Sequence, residues 1–417
     1  MVMASPLRAE SMKSVPKGFI PEPYPYHHIL DFEIESLTNL GVGVGRDRGW
    51  VIQVPYVLPG ERVRARIYRN HKNYSSADCM SVLLPSPHRV TPECSLFGEC
   101  GGCQYQHLNY KSQLEWKRTQ VEDSFARIAG ISFLVNATVA SEQKYKYRSK
   151  LTPHFEKPHP SHPFKIGFLK QGTRRSLIDV EHCPIATESI NQAIPTVRQK
   201  LIERKHSLKK GGTLLFRDTN GEIFTNPNDF VQERVGKLTF QFRAGEFFQN
   251  NPFVLTKLVD YVIRQAQPEK SPFLIDAYCG SGLFALSAAS HFKEVLGIEI
   301  SREGFLGAQA NAEINRIRNA NFILGDASSI FNSINSNFKP CTLLVDPPRK
   351  GCDQNFLSQA LEFSPNFIVY ISCDPSTQAR DAKILIEGGY AIREIQPFDL
   401  FPQTRHIESV MTLQKKA

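Results

Sequence analysis

From about residue 272 the sequence alternates short apolar, β-branched segments with stretches of helical spacing, and this limits the fold more than any other feature. PFLIDAY, EVLGIEI, ANFILGDA, CTLLVDPP, FIVYISC and GYAIREIQPFDLF are the apolar segments, with SREGFLGAQANAEINRI and TQARDAKILIEGG among the intervening helices. Near-continuous apolar strands are buried on both faces, so helices must cover both sides of the sheet. The pattern predicts an α/β fold with a doubly wound, mostly parallel sheet. Such sheets bind ligands beyond the carboxyl ends of their strands, where Cys279, Asp346 and Cys373 fall.

The preceding chain reads differently. Residues 28–86 hold alternating segments such as DFEIESL, GWVIQVPYV and ERVRARIYR, punctuated by glycine and proline, and predict a small OB-like β-barrel. Arg62, Arg64 and Arg66 share one face of their strand, and with Arg69 and Lys72 they are candidate RNA contacts. Residues 87–245 read as a central α+β domain, with a helix over NYKSQLEWKRTQVEDSFARIAG and hairpins after it. Arg148, Lys150, Arg174 and Arg175 are candidate phosphate contacts there. Residues 1–27 are expected to be a disordered lead and 246–417 to form the α/β domain.

A net charge of +9 points to a polyanionic partner. No run of ~18 apolar residues suggests a membrane span, and the N-terminus has no apolar core of a secretory signal. Nine cysteines, an odd number, fit thiols kept reduced in the cytoplasm for metal binding or chemistry. We expect a cytoplasmic monomer with a nucleic-acid partner.

The segment LIDAYCGSGLFAL is a strand, a Gly-x-Gly turn and a helix, in which Gly280 and Gly282 allow close backbone approach to a ligand. Ala285 stands where a dinucleotide fingerprint needs a third glycine. Glu299 ends the next strand and suits the two hydroxyls of a ribose. Asp326 ends the third and could accept from an adenine amino group. This order resembles the S-adenosylmethionine methyltransferase fold. The fourth strand ends in VDPPRKGCD; related tetrads occur in methyltransferases of exocyclic amino groups, but those carry an aromatic where this chain has Arg349.

If the acceptor is C5 of a uracil, that carbon becomes nucleophilic only after something adds at C6. A thiolate can add there, and a base must later remove the C5 proton so that the thiol can leave. Cys373 ends an apolar strand in YISCDP, and Glu408 follows in FPQTRHIE. EFFQNNP, DAYCGSG, DPPRKG, YISCDP and FPQTRHIE resemble, in order, the motifs of the RNA 5-methyluridine methyltransferase family. The resemblance implies that Cys373 is the nucleophile and Glu408 the general base. It implies that Gln249, Tyr278, Glu299 and Asp346 serve the methyl donor, S-adenosylmethionine, with Leu283 a departure from a usually polar position. It also implies an RNA substrate, rRNA or tRNA, a Rossmann-like methyltransferase domain, and a TRAM domain at the OB-like barrel. An exocyclic-amino methyltransferase and a non-catalytic RNA-binding protein are the alternatives.

ECSLFGECGGCQYQH presents C-x5-C-x2-C at Cys94, Cys100 and Cys103, and Cys183 is a fourth thiol in VEHCPI. Four thiolates can hold zinc or an iron–sulfur cluster. The family resemblance favours a structural [4Fe–4S] cluster over zinc.

Overall fold

The computed structural model describes residues 15–173, 175–267, 269–326, 331, 334 and 338–416. Contacts divide the chain into two units, Met1–Gln113 and Leu114–Ala417. The expected boundaries after residues 86 and 245 fall inside these units.

The first unit contains a closed barrel of β1 (Ile29–Leu37), β2 (Val42–Asp47), β3 (Trp50–Pro55), β4 (Arg62–Asn70) and β5 (Tyr74–Leu84). Alternation decides which residues fill it: Val63, Ala65 and Ile67 point inward from β4 and are fully buried. Part of the expected lead is ordered on this barrel. Tyr24 is buried in its core, and Asn70 Nδ2 donates to the carbonyls of Ile20 and Tyr24, both at 2.7 Å.

The second unit opens with α1 (Tyr110–Ser124), which straddles the division, and continues into short antiparallel sheets between Lys150 and Arg243. A seven-stranded sheet follows: β6 (Phe273–Asp276), β7 (Glu294–Glu299), β8 (Ala320–Leu324), β9 (Cys341–Val345), β10 (Phe367–Ser372), β11 (Tyr390–Phe398) and β12 (Glu408–Lys415). Their order across the sheet is β8-β7-β6-β9-β10-β12-β11, parallel from β8 through β10. β12 is antiparallel to both β10 and β11. Every residue of β9 and β10 is buried, as expected for strands covered on both faces.

Two helix starts matter for the site. α2 (Pro252–Gln265) is capped by Asn251, whose Oδ1 accepts from Phe253 N at 3.1 Å, with proline in the first turn. α3 (Pro375–Glu387) is capped by Asp374, whose Oδ1 accepts from Ser376 N at 2.9 Å. The Asp-Pro after Cys373 is therefore a helix start. Among the described residues no helix is long and apolar enough to cross a membrane.

Candidate active site

β6 ends at Asp276, and the chain turns through Gly280 and Gly282, whose φ values of 53° and 89° are left-handed conformations that favour glycine. Glu299, at the end of β7, secures this turn from below: Oε2 accepts from Gly280 N at 2.8 Å and Oε1 from Ser301 N at 2.7 Å. A cavity of about 400 Å³ lies above, lined by Gln249, Tyr278, Glu299 and Asp346 among others. An adjoining cavity of about 350 Å³ shares Tyr278 and Glu299 and adds Asp326. All five residues expected to serve the methyl donor thus line one cleft, and Leu283 lines it too. Asp276 lies beneath the turn, fully buried, with Oδ2 accepting from Ala285 N at 3.1 Å. Burial, and then the charge of Asp346, raise its pKa to about 8; burial raises Asp346 to about 7.

The nucleophile end is built by strand order. Ser372 pairs with Ser409 across antiparallel β10 and β12, so the next residue on one strand and the preceding residue on the other, Cys373 and Glu408, come side by side. Cys373 is half-buried and Glu408 buried. Burial pushes the Cys373 thiol up to about 11, and the charges of Glu408 and Asp346 add to this. Arg349 opposes the rise and hydrogen-bonds the thiol. Glu408 is pushed well above the usual carboxylate range by burial first and by Asp346 second, again against Arg349. Asp346 therefore belongs to both halves: it lines the donor cavity and its charge acts on the pair.

Arg349 is the residue that sequence reasoning undervalued. The sequence showed only that it is not a stacking aromatic; the structure turns its guanidinium toward Cys373 and to 3.4 Å from His406 Nδ1. Burial, with Arg349 the next cause, lowers the His406 pKa to about 3, so the ring is neutral. The usable signal was a cation directly after a strand-end Asp-Pro-Pro.

The loop bearing Gln249 is braced from behind. Arg217, fully buried, donates to Glu246 O at 2.8 Å and Asn250 Oδ1 at 3.1 Å. Lys150, expected to meet phosphate, instead donates to the carbonyls of Gly245 at 2.7 Å and Glu246 at 2.8 Å. Its ammonium serves the same loop, which removes it from the RNA candidates. Arg148 Nε donates to Lys150 O at 3.0 Å, and Arg175 is exposed. Arg174 lies outside the described residues. On the barrel, Arg64 forms a two-point pair with Asp31 at 2.8 Å, and Arg66 reaches Asp78 at 3.4 Å. Arg62, Arg69 and Lys72 are exposed.

Cys94, Cys100 and Cys103, in the first unit, and Cys183, in the second, form no disulfide and are half-buried. Among the described residues no three His, Cys, Asp or Glu side chains are gathered so as to hold a metal ion. The expected [4Fe–4S] cluster or zinc is therefore not shown, and no chemistry is routed through it.

Comparison with known proteins agrees with this geometry. The profile of the family described as tRNA (Uracil-5-)-methyltransferase matches residues 213–416. The tRNA (uracil(54)-C(5))-methyltransferase of Schizosaccharomyces pombe is 41% identical over 94% of this chain and 79% of its own length. The Saccharomyces cerevisiae protein of the same name is 32% identical, over 94% of this chain and 74% of its own. In fold, the crystal structure of Pyrococcus abyssi tRNA (uracil-54, C5)-methyltransferase, in complex with S-adenosyl-L-homocysteine, superposes with a TM-score of 0.71 at 24% identity, covering 92% of this chain and 100% of that one. The chain belongs to the tRNA (uracil-5-)-methyltransferase family of enzymes.

Proposed function

We propose that this protein methylates C5 of uridine 54 in tRNA, using S-adenosylmethionine, through a transient bond between Cys373 and C6 of the base. The observation that carries the reading is the meeting of Cys373, Glu408 and Arg349 within reach of Asp346, which itself lines the cleft with Gln249, Tyr278, Glu299 and Asp326. The choice of tRNA and of position 54 rests on the names of the two yeast relatives. The setting is a cytoplasmic monomer.

The free site holds the thiol neutral, since its pKa stands at about 11. Cys373 sheds that proton to solvent as the target base enters, and two features favour the thiolate: the Arg349 guanidinium and the start of α3 immediately after the cysteine. The S–C6 bond then forms and the electron pair of the C5–C6 bond shifts to C5 and the O4 carbonyl. When bound, S-adenosylmethionine supplies a sulfonium methyl group to that carbon. Glu408, as carboxylate, takes the C5 proton, the C5–C6 double bond returns, and sulfur leaves. Burial keeps Glu408 a stronger base than an exposed carboxylate. Glu299 is the acid for the donor ribose and Asp326 for its adenine, with Gln249, Tyr278 and Asp346 completing the pocket. The base must leave its stack to reach Cys373.

The test is methyl-labelled donor with unmodified tRNA and rRNA, followed by nucleoside separation. Label in 5-methyluridine of tRNA, abolished by replacing uridine 54, supports the reading. Label in an N-methylated base, or in rRNA alone, contradicts it.

A further inference from the structure

Glu408 begins β12 and is reached through the loop 399–407. One lysine ties that loop down from inside. Lys117, on α1, is fully buried, and its ammonium donates to Asp399 Oδ1 at 2.6 Å, His406 O at 2.9 Å and Phe401 O at 3.2 Å. An ammonium has three donors, and here each has an acceptor. The acceptors lie on both arms of the loop, so one cation fixes its entry and its exit. Tyr147 and Asn251 hold the same loop between, at Pro402 O and Leu400 O, at 2.9 and 3.0 Å. His406 is two residues before Glu408, and its ring is the neighbour of Arg349.

We propose that Lys117 is a positioning residue for the methylation reaction: through the His406 carbonyl and Asp399 it sets where Glu408 stands relative to the C5 proton. The inference rests on the reading of Glu408 as the base. An apolar side chain could fill the space, but it could not satisfy two carbonyls and a carboxylate from one buried point. The competing role is plain neutralisation of Asp399. These diverge when both charges are removed together, because a buried ion pair can be replaced by neutral groups without loss of fold.

The experiment compares wild type with K117M/D399N, measuring thermal midpoint, donor affinity by calorimetry, methyl transfer, and labelled protein–RNA adduct on denaturing gels. The expected double variant folds with a lowered melting midpoint, from the two loop carbonyls left unpaired, and binds donor as wild type does, but turns over about 100-fold more slowly, the scale of a misplaced catalytic group. Methylated adduct accumulates, because release of the base is the step that needs Glu408. Wild-type turnover in the double variant overturns the inference, as does slower turnover with no adduct or with matching loss of donor binding. If the double variant does not fold, Lys117→Arg keeps the charge with a different donor geometry and is expected to show the same accumulation; normal release in that variant overturns the inference. Absence of 5-methyluridine from the wild type overturns the underlying reading, and the inference with it.

Discussion

Two cysteine-bearing regions of this chain were equally conspicuous in the sequence, yet the structure treats them differently. At Cys373, antiparallel strands fix the partner: Ser372 faces Ser409, so Glu408 arrives beside the thiol, and Arg349 closes the group. At Cys94, Cys100 and Cys103 the spacing is as suggestive, but a glycine-rich loop carries the thiols, and among the described residues no three metal-ligating side chains are gathered. The difference teaches that a site built on a sheet is organised by the fold itself, whereas one built on a loop must obtain its order from what it binds.

The largest effect that could break this comparison is at Cys373. Cys373→Ala is expected to lower methyl transfer by about 10³-fold or more while leaving the thermal midpoint and donor binding unchanged. An active variant would reduce Cys373 to the standing of the loop thiols. Glu408→Gln should cost about 10²–10³-fold and leave methylated adduct on the protein, seen as a labelled slow band on a denaturing gel. Loss of adduct along with turnover would move Glu408 to an earlier step.

Next is Arg349→Met, expected to slow turnover by about 10–100-fold through the lost charge-assisted contact. Alkylation of Cys373 measured against pH should then show its thiol titrating higher than in wild type, since Arg349 lowers that pKa. No displacement would mean that the arginine acts on RNA rather than on the thiol. Because burial raises the Cys373 thiol to about 11 and lifts Glu408 above the usual carboxylate range, the rate should rise with pH through the neutral range. A rate that falls there contradicts the assignment.

A smaller effect concerns stability. Asp276 and Asp346 titrate at about 8 and about 7 in the fold, above the ordinary carboxylate value near ~4. The folded state therefore binds protons that the unfolded chain has lost. Their contribution is fully present below the unfolded pKa and disappears as pH rises through about 7 to 8. The melting temperature should fall from about pH 4 to about pH 8 and level off above, and Asp276→Asn should flatten the dependence. For the loop thiols, anaerobic purification with iron and sulfide analysis sharpens the comparison. Stoichiometric iron lost in Cys100→Ser would show that the metal gathers the ligands; a metal-free, fully active protein would leave them as loop thiols.

Much of this was legible in the sequence for a physical reason. Both-face burial writes itself as β-branched runs, and the residues at the carboxyl ends of those runs gather in the structure: Tyr278, Glu299, Asp326 and Asp346 line the cleft, and Cys373 stands beside Glu408. What periodicity could not show is sheet order. β12 lies between β10 and β11, and only that insertion brings Glu408 to Cys373. Buried charges were also invisible. α1 turns Gln113, Lys117 and Gln120 inward along with Val121, so a polar face is the packed one and the hydrophobic pattern misleads. Lys150 reads as a phosphate contact for the same reason, although it holds backbone carbonyls behind the Gln249 loop, as the buried Arg217 does.

The central claim is that the Cys373 sulfur bonds to C6 of the target base. It is tested most directly with tRNA carrying 5-fluorouridine, which has no C5 proton for Glu408 to remove, so sulfur cannot leave. The account predicts a stable protein–RNA adduct that carries the donor's methyl label, mapped by mass spectrometry to the peptide containing Cys373. No adduct, or an adduct on a different cysteine, would contradict it.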